Sequence, residues 1–158
     1  MTKTFFDVKN DLNPDDGQLR DFYIFDVSQS DWDKFISVVS ATVDHFTFEY
    51  DGVKVPLPSK FSDIDNLLER YPLLSMSVSG LIINCRIIAT DEIDLDFSVF
   101  DIQNAEVWEI LLAFFQKIVD HIGKKGIITY EWNSDRPEIR PDLVIDEILP
   151  RPHTPHQS

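Results

Sequence analysis

The chain is short of cysteine, glycine and positive charge: one Cys, five Gly, and 14 Lys and Arg against 28 Asp and Glu in 158 residues. Each shortage excludes something. A lone Cys85 closes no internal disulfide, and its apolar run (IINCRII) suits a buried thiol in a reducing compartment. With a net charge of -14 and a pI near 4.4 there is no basic footprint to displace counterions from nucleic acid or to hold an anionic membrane. No apolar run approaches the ~20 residues of a membrane span, and the stretch from Met1 to Lys9 lacks a signal-peptide core, so the expected compartment is the cytoplasm. The sequence also holds no cofactor fingerprint, no metal-ligand cluster and no spaced nucleophile and base, so no cofactor and no catalytic group are expected.

What is present is apolar. Hydrophobic residues make up 43% and aromatics 12%, with twelve Phe and three Trp, which is too much for a disordered acidic tail. The length is that of one domain, able to bury close to ~70% of its unfolded surface. Residues 10–17 (NDLNPDDG) have turn composition, and residues 150–158 (PRPHTPHQS) have that of an extended, mobile tail, so the expected unit is a single domain over residues 1–149.

The apolar spacing alternates between two periods. Residues 22–27 predict a strand, and Trp32, Phe35, Val38, Val39 and Ala41 a helix behind Ser30 as N-cap, with Asp33 at N3. Asp51-Gly52 predicts a hairpin pairing Tyr50 with Val53, Phe48 with Val55 and Phe46 with Leu57. A second helix is expected from Ser62, with Ile64, Leu67, Leu68 and Tyr71 on one face. A Ser79-Gly80 turn sets Met76 opposite Ile83 and Leu74 opposite Cys85, with a bulge in one long strand as the alternative. A turn through Thr90, Asp91 and Glu92 pairs Ile87 with Leu95, Cys85 with Phe97 and Ile83 with Val99. A long core helix follows from Asn104 to Gly123, then a strand over 126–132 and an edge element over 143–149. Together these predict an α+β fold: a mainly antiparallel sheet with about three helices packed on one face.

Charge is the feature that points outward. Between Arg86 and Lys117 lie Asp91, Glu92, Asp94, Asp96, Asp101, Glu106 and Glu109, with no cation among them. A field of one sign steers partners of the other sign, so the expected partner is a basic protein, met through Asp91, Glu92, Asp94, Asp96, Glu106 and Glu109. Trp32, between Asp31 and Asp33, joins them as a candidate aromatic anchor. Asp94 and Asp96 share a strand face on which Arg86 falls opposite Asp96, leaving Asp94 for a partner's cation. The same pair offers the alternative of a metal-dependent enzyme, against which stands the lack of further ligands. An acidic adaptor or regulatory domain is the other alternative.

The opening unit, Asp21-Phe-Tyr-Ile-Phe-Asp-Val27 with Asp31-Trp32 and an amphipathic helix behind it, resembles the beginnings of small acidic bacterial immunity proteins that accompany secreted or contact-delivered toxins. The resemblance covers about a fifth of the chain. It implies a non-enzymatic inhibitor that neutralises a basic toxin by binding it in the cytosol.

Overall fold

The computed structural model describes residues 19–98, 101–130 and 144–152. The strands are β1 (Leu19–Phe25), β2 (His45–Tyr50), β3 (Val53–Val55), β4 (Leu73–Val78), β5 (Leu81–Arg86), β6 (Glu92–Ser98), β7 (Gly126–Tyr130) and β8 (Val144–Ile148). The helices are α1 (Gln29–Thr42), α2 (Ser62–Asp65) and α3 (Ala105–Ile122), with a 3-10 turn at Leu68–Arg70. All eight strands form one sheet, in the order β3-β2-β4-β5-β6-β1-β7-β8, and every pairing is antiparallel. The fold is α+β, as the spacing predicts.

Two hairpins carry the expected register. Asp51 and Gly52 have φ of 51° and 74°, and Ser79 and Gly80 have 51° and 83°. Positive φ at both central residues matches the twist of the flanking strands, so each turn fixes its ladder. Tyr50 pairs with Val53 and Phe48 with Val55, while Met76 pairs with Ile83 and Leu74 with Cys85. No bulge interrupts β4 and β5. The expected Phe46–Leu57 pair is absent because β3 stops at Val55, before Pro56, which has no N–H to give the ladder.

The third register is two residues out. Cys85 faces Leu95 and Ile83 faces Phe97, because the connection is a loop over 87–91 in place of a tight turn. Hydrogen bonds tie that loop to its surroundings: Ile87 N–H donates to Pro72 O (3.1 Å), Trp32 Nε1 to Thr90 O (2.8 Å) and Val27 N–H to Asp91 O (3.1 Å). A slip of two keeps every side chain on its expected face, since the strand period is two.

The start of α1 also differs. Ser28, two residues ahead of Ser30, is the N-cap: its Oγ accepts from Asp31 N–H (3.2 Å) while Asp31 Oδ2 accepts from Ser28 N–H (2.9 Å). This reciprocal pair satisfies two otherwise orphaned donors, which Ser30 with Asp33 does not. Asp33 accepts from Phe61 N–H instead (2.8 Å). The helix expected from Ser62 is a single turn followed by the 3-10 turn, and Tyr71 leaves its apolar face for solvent.

α3 forms as expected, capped by Asn104, whose side chain accepts from Val107 N–H (3.0 Å), and ended by Gly123 at φ 81°. It packs with α1 over one face of the sheet, where Phe22, Ile24, Leu74, Met76, Ile83, Cys85, Leu95, Phe97 and Ile128 are buried. Phe115 stacks on Phe22 at 4.1 Å between centroids and tilts against Phe97 at 5.8 Å. Gly126 admits this packing, since a Cβ there would overlap the Phe22 ring. Trp108 is buried in the same core. The turn at 10–17, Val99, Trp132, Leu143 and the tail from His153 lie outside the described residues.

Candidate functional site

With both long helices on one face, the side chains that alternate away from the core line the other. On β6 the buried positions are Ile93, Leu95 and Phe97, and Glu92, Asp94, Asp96 and Ser98 turn to this open face. β5 adds Asn84 and Arg86, β4 adds Ser75, and β1 adds Asp21 and Tyr23; the face is open over β4 and β5 and covered over β1 and β7, where Tyr23 and Thr129 are buried. The register sets Asp21 opposite Asp96 and Tyr23 opposite Asp94.

A chain of hydrogen bonds crosses three strands. Ser75 Oγ donates to Asn84 Oδ1 (2.5 Å), Asn84 Nδ2 donates to Asp96 Oδ1 (3.5 Å), and Arg86 Nη1 reaches Asp96 Oδ2 at 2.7 Å. The expected Arg86–Asp96 ion pair therefore forms, although Asn84 is the residue directly opposite Asp96, so Arg86 reaches it diagonally.

Asp94 corrects the sequence reading. Its carboxyl lies against Asp21, to which it is hydrogen-bonded, and its Oδ1 is buried with no hydrogen-bond partner among the described residues. Burial, then the charge and hydrogen bond of Asp21, then the charges of Asp96 and Glu92 push its pKa up to about 9. The crowding of these carboxyls favours one proton held between Asp94 and Asp21 at neutral pH, where the sequence reading leaves Asp94 a free anion. Burial first, and then the charges of Asp94 and Asp96 across the sheet, likewise push the Cys85 thiol up and keep it protonated.

The other expected contact residues divide between two surfaces. Asp91 is exposed in the β5–β6 loop and Glu92 half-buried at the start of β6. Glu106 and Glu109 are exposed on α3, which packs on the opposite side of the sheet from Asp94 and Asp96, so the acidic run is continuous in sequence and divided in space. Trp32 is no surface anchor: it is 1% exposed, stacked on Phe61 at 4.5 Å, with its indole N–H held by Thr90 O. Its acidic neighbours serve the fold. Burial acts to raise the Asp31 carboxyl, but Lys124 at 2.8 Å and the Ser28 backbone and hydroxyl together hold it below the ordinary value.

Sequence reasoning missed Asp21 and Tyr23. The alternation of Phe22 and Ile24 with them is visible in the chain, but nothing local says that β1 inserts between β6 and β7. As for chemistry, among the described residues no three His, Cys, Asp or Glu side chains are grouped to hold a metal ion. His45 and His121 are both exposed, at the start of β2 and the end of α3. Among the described residues no helix is long and apolar enough to cross a membrane.

The fold and the open face define an α+β protein with one eight-stranded antiparallel sheet, apolar under its helices and polar, rich in carboxylates, on its other side. No protein-family model matches the chain, and no curated protein does. In coarse outline it is similar to a chain of a solved structure described as the toxic C-terminal tip of CdiA from Pseudomonas aeruginosa in complex with immune protein. The identity is 17% over 75% of this chain and 89% of that one, with a TM-score of 0.45.

Proposed function

We propose that the protein is an immunity-type inhibitor, which binds a cognate basic toxin of bacterial origin one to one in the cytosol and blocks its active site or substrate groove. The observation that carries this reading is the placement of charge: a net -14 over the whole chain, with carboxylates set along the sheet face on which neither α1 nor α3 packs. Such a face meets a cationic partner at a low entropic cost, because the side chains on it are short and already held by one another. Asp91, Glu92, Asp96 and Asp21 supply the field on this side, while Glu106 and Glu109 act from the other as long-range steering charges.

The metal-dependent alternative loses ground on the same geometry. Asp96 is engaged by Arg86 and Asn84.

The test is to express the toxic domain of a large secreted protein encoded beside this chain, alone and together with it. Co-expression restores growth and the two proteins elute as a 1:1 complex. Continued growth arrest, with no complex on gel filtration, counts against the proposal.

A further inference from the structure

The open face ends in a cleft of about 290 Å³ whose lining includes Glu49, Tyr50, Tyr71, Leu73, Arg86 and Ile88. The hydrogen bond from Ile87 N–H to Pro72 O carries the β4–β5 pairing past Arg86 and so brings Tyr71 and Ile88 to the same lip. Both are exposed, Tyr71 by 81% and Ile88 by 71%. Two large apolar side chains together in solvent contribute little to the core and mark a surface built for contact.

The backbone supports this. Tyr71 adopts φ 54° and ψ 62°, the left-handed region in which a side-chain-bearing residue is strained by about 1–2 kcal/mol. With its ring in water, packing returns little of that cost, so folding alone gives no reason for a tyrosine at a position that suits glycine.

Charge identifies the occupant. The two arginines at the cleft are already engaged: Arg70 pairs with Asp51 at 2.6 Å and lies 4.8 Å over the Tyr50 ring, and Arg86 pairs with Asp96; Lys54 stands opposite Glu49 across the β2–β3 ladder without closing an ion pair to it. Glu49, half-buried in the wall, makes no ion pair among the described residues. Arg70 also illustrates what this corner accepts, a guanidinium on an aromatic face beside a carboxylate.

We propose that this cleft anchors the basic partner protein: a lysine or arginine of the partner meets Glu49, and the apolar residues flanking it cover Tyr71 and Ile88. This rests on the inhibitor reading and deepens it, placing the anchor at the rim of the open face and leaving Asp91, Glu92 and the acids of α3 to steer.

The experiment is an NMR titration of the ¹⁵N-labelled protein with two capped peptides, Lys-Leu-Trp-Leu-Lys and Glu-Leu-Trp-Leu-Glu, at physiological salt. The basic peptide shifts the amides of Glu49, Tyr71, Leu73 and Ile88 and binds at least about tenfold more tightly than the acidic one. Glu49→Gln removes most of that preference. Tyr71→Gly weakens binding of the basic peptide, yet melts no lower than the parent because it relieves the left-handed strain, so lost binding is not lost folding. Shifts confined to Asp21, Asp94 and Asp96 overturn the cleft as anchor and leave the inhibitor reading standing. Equal affinity for the two peptides, or no shift with either at millimolar concentration, overturns it as well. The inhibitor reading fails separately, through the absence of a 1:1 complex with the toxic domain.

Discussion

At the scale of single residues, Asp94 is the most informative side chain. Its folded pKa, raised to about 9, lies far above the ~3.9 of an unfolded aspartate, so between those values the folded state holds a proton that the unfolded chain releases. The contribution of this group to stability is fully present below the unfolded value and is lost as pH rises toward the folded one. Asp94→Asn keeps the shape and a donor for Asp21 without needing the proton. Its stability relative to the parent should therefore climb between about pH 5 and pH 8, by up to ~1.4 kcal/mol per pH unit. Parallel urea-melt curves across that range would show that the carboxyl is ionised in the fold. Phe97 gives a second measure at this scale, being 1% exposed and packed on Phe115. Phe97→Ala should cost roughly 3–5 kcal/mol in denaturant unfolding, and a loss under about 1 kcal/mol would place that ring outside the core.

Among the elements, α1 shows how a helix start is tied to the rest of the molecule. Ser28 and Asp31 close the capping box, and Lys124, just past the glycine that ends α3, pairs with Asp31 and donates to Asp26 O. One residue thus links the end of one helix to the start of the other. Ser28→Ala removes the side-chain acceptor for Asp31 N–H and should lower stability by about 1 kcal/mol, while Ser30→Ala, at the position that the sequence suggests as the cap, should change it by less than about 0.5 kcal/mol. Thermal melts of the two variants side by side decide between the caps. The β5–β6 loop is similarly fixed, with Trp32 turned inward to hold Thr90 O while its ring packs on Phe61 and Phe35, which together keep an aromatic flanked by acids from the surface.

For the whole molecule the deciding quantity is charge. Twice as many acids as bases in the chain give a long-range field, and the sheet divides its described sources between the open face and the exposed side of α3. Steering of a basic partner by such a field weakens as the Debye length shortens to about 8 Å at physiological ionic strength. On the proposed inhibitor function, the association rate with a toxic domain should fall at least about tenfold from low to physiological salt, while dissociation changes little. Stopped-flow traces with a salt-independent association rate would show that charge plays no part in encounter.

Local chemistry made much of this legible in the chain. Asp51-Gly52 and Ser79-Gly80 each favour the backbone of a tight hairpin, and so the β4–β5 ladder could be read residue by residue and the β2–β3 ladder as far as Val55. The period-two alternation of β6 assigned its faces even where the register slipped, and Asn104 and Gly123 marked both ends of α3. The position of β1 between β6 and β7 was not legible, because that pairing joins segments about seventy and a hundred residues apart and depends on which apolar faces the helices cover. For that reason Asp21 was missed, and so was the proton it shares with Asp94, since a carboxyl's charge depends on neighbours that only the assembled sheet supplies. The burial of Trp32, the separation of Glu106 and Glu109 from the strand carboxylates, and the cleft at Tyr71 and Ile88 have the same origin. The sequence by itself determined the elements, their faces and the sign of the charge; the tertiary structure alone decided which charges meet, because distance in space is set by packing and not by order along the chain.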